Sequence, residues 1–455
     1  MQKLIAKYVL AAHLAILAVA PLFLSSEAVI WLALPAIIWI LMEPSRVANE
    51  SLHEARERVV VGMIKDPLFW VMLLLAATAL VRALNGGVAF AYDAEHRVWS
   101  LTSPVIAILP GCVDGCGFAE LGGVVALAVA VIGALHALGR SARLAFLIVA
   151  SILSAVGATV WLWAYAEGAE SAVWAAQTSL TKPLFTGTFF GMALAAGELG
   201  LLAVLERGWL KMLLPVMLAV TANALGLFVF APPLTVAIFA AVALLILVYA
   251  FVYLRVMSGG VFCFKFLVLF GVPLVIAGFV ATMIVPPELL AEKIAPFMSG
   301  DFLPEKMMAL RSKLDELSLR MWKSHPWLGT GEGSYALNLG YVATPGDWEI
   351  VPAEQTAPLN GFWMLLVERG TIGAFLAAVP LALLVWVYCR RLARAVVRRG
   401  LPHPVVIGGL LALAAAATQT AFDSSLLMTG MFTLVMAFFT ISTATLPKET
   451  KENGR

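Results

Sequence analysis

Apolar stretches recur along this chain, separated by short polar segments, and each is long enough to cross roughly 30 Å of hydrocarbon as a helix of about 20 residues. Twelve such stretches are read, near 5–24, 27–42, 68–84, 120–138, 143–164, 186–206, 209–230, 233–254, 265–285, 371–389, 404–421 and 426–446. Lys and Arg gather in alternate connections. Arg46, Arg56, Arg58 and Lys65 follow the second stretch, Arg140 and Arg143 the fourth, and Arg207 and Lys211 the sixth. Arg255 and Lys265 flank the connection after the eighth, and Arg390, Arg391, Arg394, Arg398 and Arg399 follow the tenth. Positive loops mark the cytoplasmic side, so an even number of spans places both termini there, including the polar tail 448–455. The first stretch, with Lys3 and Lys7 ahead of it and small residues near Ser25, has the outline of a signal peptide. In a chain this apolar it is read as an uncleaved first span.

Composition sharpens this to an all-α integral membrane protein. Of 455 residues, 62% are hydrophobic and 13% charged, against about 25% charged in soluble domains. A soluble enzyme, a disordered chain and a disulfide-stapled secreted domain are excluded. A net charge of +2 offers no basic surface for nucleic acid.

Two segments on the expected outer side interrupt the apolar pattern. The first, about 85–119, carries Cys112 and Cys116, spaced for a small-loop disulfide in an oxidising compartment and a weak signal for a metal. The second, 286–357, holds 16 of the chain's 58 charged side chains in 72 residues. The chain therefore divides into nine spans (1–285), an outer loop with short helices (286–370), three further spans (371–447) and the tail (448–455).

Within the outer loop, Leu310, Leu314, Leu317 and Met321 repeat at helical spacing. Arg311, Asp315, Ser318 and Trp322 form a neighbouring stripe. Pro326 then leads into Gly329, Gly331 and Gly333, a tight turn whose backbone N–H groups can face an anion. Turn-making without a ligand is the plainer reading of the same glycines.

Arg311, Pro326, the three alternating glycines, Asn360, Leu366, Glu368, Gly370 and Gly373 together resemble the motif of the O-antigen ligase and O-antigen polymerase family. TGTFFGMALA at 186–195 is similar to that family's Gly-Thr-Phe span opening. The resemblance implies a GT-C-like architecture with about 12 transmembrane helices and a large outer loop, in a bacterial inner membrane. It also implies transfer of a glycan from undecaprenyl pyrophosphate to a hydroxyl on lipid A core or on a growing polysaccharide, with neither cofactor nor metal. The family's His before Asn is Leu359 here, and its membrane arginine after the Gly-Thr-Phe span has no counterpart in FVFAPPLTV.

Such a reaction needs cations around the departing pyrophosphate. Arg311 is the first choice for the clamp, with Lys182 and Arg320 behind it. Each is also readable as a solvated or headgroup cation, which is the plainer reading of Lys182 and Arg320. Glu354 and Glu332 are the carboxylates nearest to taking over the work of the missing His, His325 ranks below them, and all three are also ordinary surface positions. Gly329, Gly331, Gly333, Asn360 and Glu368 complete the expected donor site. Trp322, Trp327, Trp348 and Trp363 stack on sugars or belong to an aromatic belt. Glu198 lies inside the sixth span and is a functional candidate by position, or a protonated or helix-paired residue. Asp423 reads as a cap, and His13 and His136 as packing residues. The expected partners are a lipid-linked glycan, its acceptor and membrane lipids. Two other readings stay open: a catalytically silent relative that binds lipid-linked glycan, and a twelve-helix transporter or flippase, against which no internal repeat is found.

Overall fold

In the computed structural model, the residues described are 2–19, 31, 35, 38, 51–88, 90–93, 98–101, 106, 109, 111–113, 140–166, 183–258, 260–303, 305–352, 357–399 and 402–422. Helices α1 (Gln2–Val19), α2 (Leu52–Ile64) and α3 (Pro67–Leu84) come first, then a short antiparallel hairpin of β1 (Phe90–Asp93) and β2 (Val98–Leu101). There follow α4 (Arg140–Ala166), α5 (Pro183–Arg207), α6 (Leu213–Phe230), α7 (Pro233–Ser258) and α8 (Gly260–Ile284). The loop contributes α9 (Pro287–Ser299), α10 (Glu305–Ser324) and α11 (Tyr335–Val342), before α12 (Gly361–Arg399) and α13 (Pro404–Thr420).

Six helices among the described residues are long and apolar enough to cross a membrane: Ala142–Trp163, Thr188–Glu206, Leu210–Phe230, Pro233–Val256, Leu267–Ile284 and Gly361–Val379. Tyr8–Leu17 and Pro404–Thr420 are shorter apolar helices. The expected spans near 120–138 and 426–446 lie outside the described residues, as does almost all of 27–42.

Helix α5 is the axis of the bundle, packed by α4, α6, α7 and α13. Its span is 94% buried, whereas that of α8 is 22% buried, so α5 is interior and α8 presents most of its surface outward. Helices approach closely because small residues face large ones. A Cβ on Gly191 would sit 2.3 Å from the Phe239 ring of α7, and one on Gly226 would sit 2.9 Å from Phe190. Asn223 of α6 crosslinks the core by donating to the Ser151 carbonyl at 3.1 Å and accepting from the Ser154 hydroxyl at 2.9 Å.

The loop folds as a second packed unit. Leu314, Leu317 and Met321 of α10 bury against Tyr335 and Leu339 of α11, Val351 of the following connection and Val367 of α12, with Leu310 at the edge. The apolar face expected for this helix is therefore its buried face. Polar ties bind the loop to the bundle. Lys293 of α9 donates to the carbonyls of Phe228, Val229 and Ala231, at 3.1, 2.6 and 3.0 Å, and so caps the C-terminus of α6. At the opposite end of the helices, His403 meets Glu206 at 2.9 Å, and the Tyr249 hydroxyl donates to the Pro402 carbonyl at 2.7 Å.

Candidate functional site

Helix α12 starts ten residues before the apolar stretch read at 371–389, and it breaks at Gly370, whose φ of 63° is left-handed. The free carbonyls at that break attract the glycine turn. Thr330 N–H donates to the Val367 carbonyl at 2.9 Å and Gly331 N–H to the Glu368 carbonyl at 3.0 Å. In return, Thr371 and Ile372 N–H donate to the carbonyls of Pro326 and Trp327, at 2.8 and 3.1 Å. Two backbones can lie this close only without side chains between them. A Cβ on Gly329 would fall 2.5 Å from the Glu368 carbonyl, and one on Gly370 would fall 2.3 Å from the Trp327 oxygen.

The turn does cradle an acceptor, but that acceptor is a carboxyl group of the protein itself. Glu368, 4% exposed, accepts from Tyr335 N–H at 3.2 Å and from Gly333 N–H. Gly329 N–H donates to His325, Glu332 N–H to Gly111 and Ser334 N–H to Gly331. Every backbone N–H from Gly329 to Tyr335 thus has an acceptor within the chain. This corrects the expectation of open N–H groups awaiting a phosphate: the glycines form a joint.

Glu332, at the tip of the same turn, collects two cations. Arg369 grips it with Nε on Oε2 at 3.0 Å and Nη2 on Oε1 at 3.1 Å, and Arg82 Nη1 reaches Oε2 at 3.2 Å. Burial pushes the Glu332 carboxyl up, but the Arg369 and Arg82 guanidiniums prevail and hold it below its ordinary value. A carboxylate kept ionised in this way is a poor proton acceptor near neutral pH, so Glu332 is an ion-pair partner here and not the expected base. Gly373 leaves room for the pair, since a Cβ there would lie 2.6 Å from Arg369 Cβ and 3.8 Å from Arg82 Nη2. The segment 111–113 holds the turn from the other side, with Val113 N–H donating to the Glu332 carbonyl at 2.9 Å and the Cys112 thiol donating to the Arg82 carbonyl at 3.0 Å. Cys116, its expected partner, lies outside the described residues.

The polar stripe of α10 faces inward. Arg311 donates to the Ala421 carbonyl at 2.6 Å and lies 4.7 Å over the Phe422 ring, at the end of α13. Burial raises the Asp315 carboxyl and neighbouring Arg311 lowers it, leaving it above its ordinary value. Ser318 Oγ meets the Tyr335 hydroxyl at 2.9 Å, and Trp322 Nε1 donates to Thr371 at 3.3 Å. Burial pushes the Tyr335 phenol up to about 12. The stripe therefore runs from Arg311 to the glycine joint, about 15 Å along the helix by Met321.

Other expected residues fall elsewhere. Arg320 pairs with Glu316 and lies 3.9 Å from Asp347, on the face away from Arg311. Asn360 accepts from Phe362 N–H at 3.0 Å and so caps the start of α12. Leu359 packs at the edge of the loop core. Lys182, Glu354 and Asp423 lie outside the described residues. Arg82 and Arg369 were not singled out from sequence; an arginine ending an apolar helix and the Arg of ERGTIG were the available signals. Among the described residues no group of three or more His, Cys, Asp or Glu is placed to hold a metal. No family model and no curated protein matches the chain.

Proposed function

We propose that the protein is a membrane glycosyltransferase that moves a glycan from undecaprenyl pyrophosphate to a hydroxyl of lipid A core or of a growing polysaccharide. The observation that carries this reading is the convergence of Arg82, at the end of an apolar helix, and Arg369 on one carboxylate beside the glycine joint. Two guanidiniums so fixed match a pyrophosphate, whose oxygens accept the same forked hydrogen bonds as Glu332. Donor binding then requires Glu332 to give up part of its contact, and the cations hold the charge that develops on the leaving group. The exposed Trp327 indole stands on the same loop unit and is assigned to a sugar contact, whereas Arg311 is held by Ala421 and Phe422.

The test is turnover by purified protein in nanodiscs, given an undecaprenyl-pyrophosphate glycan and host acceptors without divalent metal. Glycan on the acceptor with release of carrier pyrophosphate supports the reading. In folded protein, Arg82→Ala and Arg369→Ala together should remove it; transfer that survives both overturns the clamp. A second reading, a silent protein that binds lipid-linked glycan, is favoured by Leu359, which cannot move a proton, and by the ion-paired state of Glu332. Donor binding without turnover selects it.

A further inference from the structure

Glu198 is 1% exposed in the middle of α5, and neither carboxyl oxygen has a hydrogen-bond partner among the described residues. Its surroundings follow from the helix period. Gly191, two turns earlier on the same face, packs on Phe239 of α7, and Leu202, one turn later, packs with Ala250 and Leu254 of α7. Glu198 therefore lies on the face of α5 that meets α7, beside Leu199, which abuts Gly408 of α13.

Among the described residues, the helices packed on α5 bring no charged group to the middle of it. Among the described residues α6 and α13 carry no titratable side chain within their spans. Helix α4 has Arg140 and Arg143 at its start and Tyr165 at its end, and α8 has Cys263 and Lys265 in its first two turns. Helix α7 has Tyr249, Tyr253 and Arg255 in its last third, where Tyr249 is bonded to Pro402 and Tyr253 lies edge-on to His403. Glu206, at the end of α5, is taken by His403. An ionised carboxylate in this place would lack both solvation and a counter-ion, whereas a carboxylic acid lacks only a hydrogen bond.

We propose that Glu198 is a proton-binding site of the membrane bundle, held as the neutral acid in this packing and exchanging its proton when α5 parts from α7 and α13. The proposal is independent of glycan transfer. It assigns to the bundle a conformational equilibrium linked to protons, because only an opened interface gives the carboxylate water.

Two measurements on the reconstituted full chain test it. The infrared difference spectrum of wild type minus Glu198→Gln at neutral pH should contain the carbonyl stretch of a protonated carboxylic acid, and its absence overturns the proposal. Wild-type protein should also react with dicyclohexylcarbodiimide, which partitions into membranes. The acid adds its oxygen to the central carbon and its proton to a nitrogen, so only the protonated form reacts. A peptide adduct at Glu198, forming more slowly as pH rises, supports an exchanging site. An acid band without any adduct means a sealed residue and overturns the exchange. The labelling needs no variant and so stands even if Glu198→Gln fails to fold.

Discussion

Arg369 holds Glu332 through both carboxylate oxygens, at 3.0 and 3.1 Å, across the break in α12, and Arg82 of α3 completes the pair from 250 residues away in sequence. This contact ties α3, the loop and the start of α12 at one point. Removing one partner from a buried pair leaves charge uncompensated, with a cost on the order of 3 kcal/mol. Glu332→Gln should lower the midpoint of thermal unfolding in detergent correspondingly. A midpoint equal to wild type would show that the two arginines find other partners.

The same pair sets an acid limb of stability. The folded Glu332 carboxyl titrates below its unfolded value of roughly 4.3, so its contribution is complete above about pH 5 and is lost as pH falls through the folded value. The stability difference between wild type and Glu332→Gln should be constant near neutral pH and shrink in acid. A difference that widens on acidification contradicts the assignment.

Gly370 and Gly300 separate backbone strain from crowding. Both have positive φ, 63° and 76°, but a Cβ on Gly300 meets nothing within 4 Å whereas one on Gly370 meets the Trp327 carbonyl. Gly300→Ala should cost about 1 kcal/mol, the left-handed penalty alone. Gly370→Ala should cost several times more and speed hydrogen exchange at Thr330 and Gly331, whose N–H groups close the joint. Equal costs would mean that the joint opens freely.

Lys293→Met removes the cation that caps Phe228, Val229 and Ala231 while keeping most of the apolar stem. Charge-assisted hydrogen bonds of this kind contribute about 1.5–3 kcal/mol, and the loss should appear as faster exchange in the last turn of α6 and a lower unfolding midpoint. Unchanged exchange there would show that water replaces the ammonium.

Arg311→Ala breaks the bond to the Ala421 carbonyl and the contact with Phe422, for an expected loss of about 1–2 kcal/mol. Arg311→Lys should recover part of it. If the lysine variant is no better than alanine, the planar fork and not the charge is what α13 requires.

Helices α4 to α8 and the buried face of α10 could be read from sequence because each rests on a local pattern, an apolar run or a three- and four-residue repeat, that no distant contact has to supply. That Arg311, Asp315, Ser318 and Trp322 share one stripe followed from the same helical period, whereas their inward direction came only from the partners that the fold brings to them. Tertiary structure alone decided where charges meet. Arg82 and Glu332 lie in unrelated segments, and nothing local to either specifies the other. It also decided what the glycines do. Gly329, Gly331 and Gly333 announce a turn in any sequence, but whether its N–H groups await a ligand or are filled depends on the carbonyls and the Glu368 carboxyl group that α12 brings against them. Hydrophobic periodicity fixes which residues face inward, whereas the pairing of polar groups depends on distances between segments that only the folded chain sets.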